Sequence, residues 1–197
     1  MVKKRTERIV LRCAKELFAQ KGYHQTSISD IIRRAGVARG TFYLYFQSKR
    51  EIFDSILDEL VTSLGGIMKR IDLDSSTPPL EQLRNILRSI FILALEDPDM
   101  PRILLNRAVG LDRESDNKLH EFYGAVQGKV ESALKHGIEL GLVRKCNTGI
   151  TASCILGCAK EVIEFISSEP NAMFQLDELL DEILTFGLQG ILTSRMT

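Results

Sequence analysis

The chain has 197 residues, 44% of them apolar and 26% charged, with 26 Lys and Arg balanced against 26 Asp and Glu. That length and mix support a buried core without disulfides and exclude a disordered polymer. No apolar run approaches the ~18 residues of a membrane-spanning helix. The basic start "MVKKRTERIVLRCAKELF" has neither a continuous apolar stretch nor a small-residue cleavage site, so a cytoplasmic protein is expected.

Helical periodicity runs along almost the whole chain. Ile9, Val10, Cys13, Ala14, Leu17 and Phe18 form a stripe on a helix over residues 5–21, which Gly22 ends as a C′ residue. Thr26 or Ser27 then caps a short helix that runs to Ala35. Gly36 closes it, and a third short helix begins near Arg39. Ser48 and Glu51 have the S-x-x-E spacing of a capping box for a long fourth helix. "DLDSSTPP" breaks the chain at 72–79, and a helix from about Leu80 to Glu96 follows. "DPDMP" interrupts at 97–101, a shorter helix covers about 102–110, and "DRESD" at 112–116 reads as a polar loop. Three further helices follow, ending near Gly141, Ser167 and Ser194. The expectation is an all-α fold of about nine helices, with a boundary near Ser48 between residues 1–48 and residues 49–197.

Charge divides at almost the same place. Residues 1–50 hold twelve Lys and Arg against three Asp and Glu, a net of +9; the remainder holds fourteen against twenty-three, a net of −9. A basic head attracts polyanions and an acidic body repels them. Within the head, two short helices joined by "AGVA" have the dimensions of a helix-turn-helix. Gly36 gives the turn its left-handed residue, and Val37 can plug the angle between the helices. Such a unit lays its second helix in the DNA major groove.

The stretch "LFAQKGYHQTSISDIIRRAGVARGTFYLYFQSKREI" (17–52) resembles the DNA-binding head of the tetracycline-repressor (TetR) family. The matching positions are Phe18, Gly22, Tyr23, Thr26, Ile31, Ala35, Gly36, Val37, Gly40, Thr41, Tyr43, Phe46, Lys49 and Glu51. Ile32 stands where the family usually has Ala, and Ala38 where Ser is frequent. The second change removes an N-cap oxygen from the third helix. The resemblance implies that Arg39, Gly40 and Thr41 sit deepest in the groove, with Arg39 on a guanine edge. It implies that Tyr43 and Tyr45, with Thr41, meet phosphates or thymine methyls. Lys49 would hold a phosphate at the start of the fourth helix, and Ser27 and Ser29 would bind the opposite backbone. Within "FYLYF", helical phase puts Phe42 and Phe46 on one core-facing side and turns Tyr43 away from it.

The resemblance further implies a body that senses a small ligand and dimerises. Pocket candidates are Met68, Phe91, Leu95, Arg102, Arg107, Phe122, Tyr123, Val126, Cys158 and Phe165. All but the two arginines are apolar or adaptable, which suits an apolar, aromatic or acyl-chain effector. Dimer-interface candidates on the last two helices are Ile155, Val162, Leu180, Leu184, Leu188 and Ile191. These equally suit the core of their own subunit. A two-fold dimer would read a palindromic operator.

Other classes are less well supported. No G-x-S-x-G, H-E-x-x-H, P-loop or Rossmann fingerprint occurs, so no catalytic residue, metal site or cofactor is assigned. The acidic pairs Asp177/Glu178 and Asp181/Glu182 read as a solvated helix face. An all-α enzyme acting on small molecules is one alternative. The other, a non-specific DNA binder, would need basic charge over more of its surface. The four cysteines, Cys13, Cys146, Cys154 and Cys158, read as small buried apolar residues.

Overall fold

The structure is a computed structural model, and it describes residues 2–105, 113–168 and 176–191. The described residues form nine helices: α1 (Val2–Lys21), α2 (Ile28–Ala35), α3 (Arg39–Tyr43), α4 (Lys49–Ile67), α5 (Pro79–Glu96), α6 (Asp99–Leu105), α7 (Arg113–Glu139), α8 (Thr148–Ser168) and α9 (Leu176–Ile191). The all-α expectation holds. None of these helices is long and apolar enough to cross a membrane. Three boundaries differ from the sequence reading. α5 starts at Pro79, and α6 starts at Asp99 with Pro101 in its first turn, where a missing N–H costs nothing. α7 begins at Arg113, inside the stretch read as a loop, because Arg and Glu are good helix formers.

Packing divides the chain into two units. The first comprises Met1–Ser63 and Asp97–Phe122, and the second comprises Leu64–Glu96 and Tyr123–Thr197. The charge boundary near Ser48 therefore falls inside the first unit, which also takes the first fifteen residues of α4 and all of α6.

The core of the first unit is aromatic at its centre. Phe18, Tyr23 and Phe53 pack as a triad, with ring centres 5.3 Å apart for Phe18–Tyr23 and Tyr23–Phe53 and 6.3 Å for Phe18–Phe53. Val10, Ala14 and Leu17 of α1, Ile31 of α2 and Ile52, Ile56 and Leu57 of α4 fill the space around it. Met100 and Ile103 of α6 join the same core. The Lys15 ammonium ties α1 to Asp97 just before α6.

In the second unit Phe91 of α5, Ile166 of α8 and Leu180 of α9 form a buried cluster, with Leu87, Val162, Ile163, Leu179 and Ile183 packed against it. Arg84 and Arg88 of α5 pair with Asp177 of α9, and Arg84 also pairs with Asp181. Half of the acidic face on α9 is thus ion-paired rather than simply solvated. The Arg84 guanidinium holds the Asp177 carboxyl below the usual carboxylate range. The two carboxylates are well exposed and the two guanidinium groups partly so, and solvent screening leaves these pairs little to contribute beyond registering the two helices. Cys13 is buried as expected, but Cys154 and Cys158 are exposed on α8.

Candidate nucleic-acid interface

A cap at one end and a glycine at the other set the length of α2. Asp30 N donates to Ser27 Oγ at 3.1 Å, and Ser27 N donates to Asp30 Oδ2 at 3.1 Å, a complete capping box. Ser27 Oγ donates to the same carboxylate at 2.7 Å. The hydrogen bonds from the Ser27 side chain and then its backbone lower the Asp30 pKa. At the far end Gly36 adopts φ 64° and ψ 30°, the left-handed conformation the turn requires. Val37 packs against the core directly after it, as the sequence predicts. The other candidate cap, Thr26, is buried instead, and its hydroxyl donates to Gly22 O at 2.9 Å.

α3 is short and sits on its aromatic residues. Phe42 is fully buried and Phe46 nearly so, their ring centres 6.3 Å apart. Ala38, at the N-cap, offers no side-chain bond to the first turn. Arg39 and Gly40 are exposed at the N-terminal end of α3. The Arg39 guanidinium lies 5.9 Å from the ring centre of Tyr43. Thr41 and Tyr43 are half-buried, and Ser29 is exposed at the start of α2. Tyr45 is half-buried and packs against the core. The fold therefore gathers Arg39, Gly40, Thr41 and Tyr43 on and around one short helix.

Two residues expected at the nucleic acid are committed elsewhere. The Ser27 hydroxyl is spent on the capping box. Lys49 turns inward: its ammonium donates to Tyr23 O at 2.6 Å, Thr26 O at 2.9 Å and His24 O at 3.4 Å. It also lies 4.3 Å from the centre of the Tyr23 ring. An ammonium has three protons, and three backbone carbonyls of the α1–α2 loop receive them. The capping box predicted for α4 is also shifted. Glu51 N donates to Ser48 Oγ at 3.1 Å, but the Glu51 carboxylate accepts from Gln47 N at 2.6 Å rather than from Ser48. One exposed side chain in this region was missed by sequence reasoning: Leu44, 76% exposed at the C-cap of α3. Its i, i+4 spacing from Gly40 was the available signal.

The family model described as "Bacterial regulatory proteins, tetR family" matches residues 10–56, which contain this helix-turn-helix. A second, "Tetracyclin repressor-like, C-terminal domain", matches residues 76–167. The chain belongs to the TetR family. TetR-family proteins are DNA-binding transcriptional regulators. Similar along most of its length is the "Fatty acid metabolism regulator protein" of Bacillus subtilis (strain 168), 26% identical over 186 residues that cover 92% of this chain and 94% of that protein. The fold resembles that of the SmeT–triclosan complex, with a TM-score of 0.79 at 22% identity, covering 96% of this chain and 93% of that one. It also resembles the fatty acid degradation regulator FadR from Bacillus halodurans, with a TM-score of 0.76 at 23% identity over 94% and 95% of the two chains.

The residues proposed for a TetR-type effector pocket are divided between the two units. Phe91 is the buried centre of the second unit's own core. Phe122 is buried and Arg102 exposed in the first unit, where Arg102 lies 4.0 Å from Asp99. Leu95, Tyr123, Cys158 and Phe165 are exposed in the second unit, with Met68 and Val126 half-buried there. Arg107 lies outside the described residues. A cavity of about 380 Å³ does open between the N-terminal turns of α5 and the C-terminal half of α9, lined by Pro78, Leu80, Glu81, Arg84, Asp181, Leu184, Thr185 and Leu188. None of the ten pocket candidates lines it.

The interface candidates divide similarly. Leu180 and Leu184 are buried within their own unit, and Val162 packs on the same core. Ile155 and Leu188 are half-buried, and the Ile191 side chain lies outside the described residues. For Leu180, Leu184 and Val162 the stripe marks the side of the helix that its own unit covers. The uncovered side of α8 carries Ile150, Cys154, Cys158 and Phe165, and α9 exposes Phe186 at 76%.

The Lys49 geometry yields a prediction. Lys49→Ala should lower unfolding stability by about 2 kcal/mol, the worth of charge-assisted hydrogen bonds to backbone carbonyls. A urea titration measures that loss. The slope of log DNA affinity against log salt should stay as in the wild type. A slope shallower by about one would instead return Lys49 to the phosphates.

Proposed function

We propose that this protein is a homodimeric repressor that binds a palindromic operator and is released from it by a small apolar ligand. The observation that carries the DNA reading is Gly40. It is exposed, its φ is ordinary, and an added Cβ would meet nothing within 4 Å. Glycine is a poorer helix former than Ala, and nothing inside the fold excludes a side chain here. A partner that must approach the backbone closely does, and the major-groove floor is such a partner. Beside it Arg39 can donate two bonds to a guanine edge, while Thr41, Tyr43 and Ser29 can reach phosphates. The +9 charge over residues 1–50 supplies the attraction to the backbone.

Two lines support the remainder of the reading. The uncovered apolar faces of α8 and α9, with Phe165 and Phe186, suit a second copy of the chain, which would place two heads at a fixed spacing. The similar proteins include regulators named for fatty acid metabolism and degradation and one solved with triclosan, all apolar chemistries. α4 runs unbroken through the change of unit between Ser63 and Leu64, which suits it to couple effector binding to head spacing. The proposed division of labour gives DNA binding to the head and sensing and dimerisation to the body.

Selection of duplexes from a random pool by the full chain tests the central reading. A single palindromic motif should emerge, bound at least ~1000-fold more tightly than random duplex at physiological salt. Equal affinity for both would leave only non-specific binding. On the selected duplex Arg39→Ala should lose discrimination at one base position per half-site, worth about 1–3 kcal/mol. Gly40→Ala should separate folding from function. Its thermal stability should be unchanged or slightly raised, by less than the ~1 kcal/mol of a helix interior, while its operator affinity falls roughly tenfold as base contacts worth ~1–3 kcal/mol each are pushed away. Phe186→Glu combined with Phe165→Glu should yield a monomer in sedimentation analysis; a dimer as tight as the wild type would move the interface elsewhere.

A further inference from the structure

Leu44 has no assigned role, and its position makes it unusual. Among the described residues of the first unit it is the one large apolar side chain left exposed. It closes α3 as the C-cap, in helical conformation at φ −74° and ψ −17°, with its N–H donating to Thr41 O at 3.3 Å. Its direction is therefore set by the helix rather than by a loose loop. Helical geometry places Gly40 and Leu44, four residues apart, on one face. Each is two residues from Phe42, roughly 160° around the helix from the ring that anchors α3 in the core. The outermost face of α3 thus consists of a bare backbone at Gly40 and, one turn later, a projecting Leu44.

We propose that Leu44 reads a thymine by contact with its 5-methyl group. The proposal rests on the DNA-binding reading above. A face presented to the major groove meets hydrogen-bonding base edges and one apolar group, the thymine methyl. A leucine cannot satisfy the polar edges, and against them it would leave donors and acceptors without water. Against the methyl it removes apolar surface from water on both sides. Gly40 supplies the close approach that contact requires, since no side chain there holds the helix off the groove floor. Arg39 and Leu44 then divide the reading chemically, one by charge and hydrogen bonds, the other by apolar contact.

The test uses the full chain and the duplex it selects from a random pool. Each thymine of the selected site is replaced singly by deoxyuridine, which removes the methyl and nothing else. Wild type and Leu44→Ala are titrated on every duplex, and circular dichroism confirms that the variant keeps its helix content. At one thymine position per half-site the replacement should weaken wild-type binding about fourfold, the worth of one buried methyl group. Leu44→Ala should be weaker than wild type on the thymine duplex and insensitive to that replacement. Equal sensitivity of both proteins at every position would overturn the proposal, as would a selected site that tolerates every replacement. Failure to select any duplex would overturn the DNA-binding reading itself, which distinguishes the two failures. If Leu44→Ala binds all duplexes like wild type, Leu44 faces something other than the groove and the proposal is wrong.

Discussion

A helix of five residues forms too few internal hydrogen bonds to persist alone, so α3 exists only through what its side chains are buried against. Phe42 and Phe46 supply that burial, and they meet a core assembled by α1, α2 and the first half of α4. The economy of the head follows from this. Two rings fasten the helix from behind, and the side opposite Phe42 is released from any packing duty. Only then can the fold tolerate a glycine without internal purpose and a leucine without internal partners.

The same head must also hold the loop between α1 and α2. After α1 stops at Gly22 the chain turns, and the C=O groups of Tyr23, His24 and Thr26 come within reach of one side chain. Lys49 answers with three donors and lays its charge near the Tyr23 ring. The first residue of α4 is thereby bound to the loop that precedes α2. Ser27, the last residue of that loop, then caps α2 together with Asp30 of its first turn. The position of α3 is thus fixed by a sequence of local solutions to backbone hydrogen bonding, each satisfied by a side chain close by.

These local solutions mark the limit of what the sequence could tell. Helix type, the Gly22 and Gly36 stops and the burial of Phe42 and Phe46 were legible because periodicity and left-handed glycine are short-range signals. Lys49 was not, since a lysine at a helix start looks the same whether it faces a phosphate or a carbonyl 26 residues earlier. Ser27 was ambiguous for a related reason: a hydroxyl that can cap can also contact a phosphate, and only the geometry of Asp30 decides. On α8 and α9 the apolar stripe suited a subunit interface and an internal core equally. Leu180 and Leu184 pack within their unit, while Phe165 and Phe186, outside the stripe, are the ones exposed.

That contrast between buried and exposed apolar residues has a general physical basis. A helix at a subunit surface must satisfy two apolar faces, the inner one by its own fold and the outer one by something else. The inner face is larger and more regular, so it dominates the periodicity and conceals the outer one. Exposure separates them. The reasoning applies equally to α3, whose inner face is aromatic and whose outer face is Gly40 and Leu44. In both places the informative residues are those the fold could have dispensed with. A glycine whose missing Cβ nothing excludes and a leucine that nothing covers are costs to the isolated chain, and such costs point to where a partner must come.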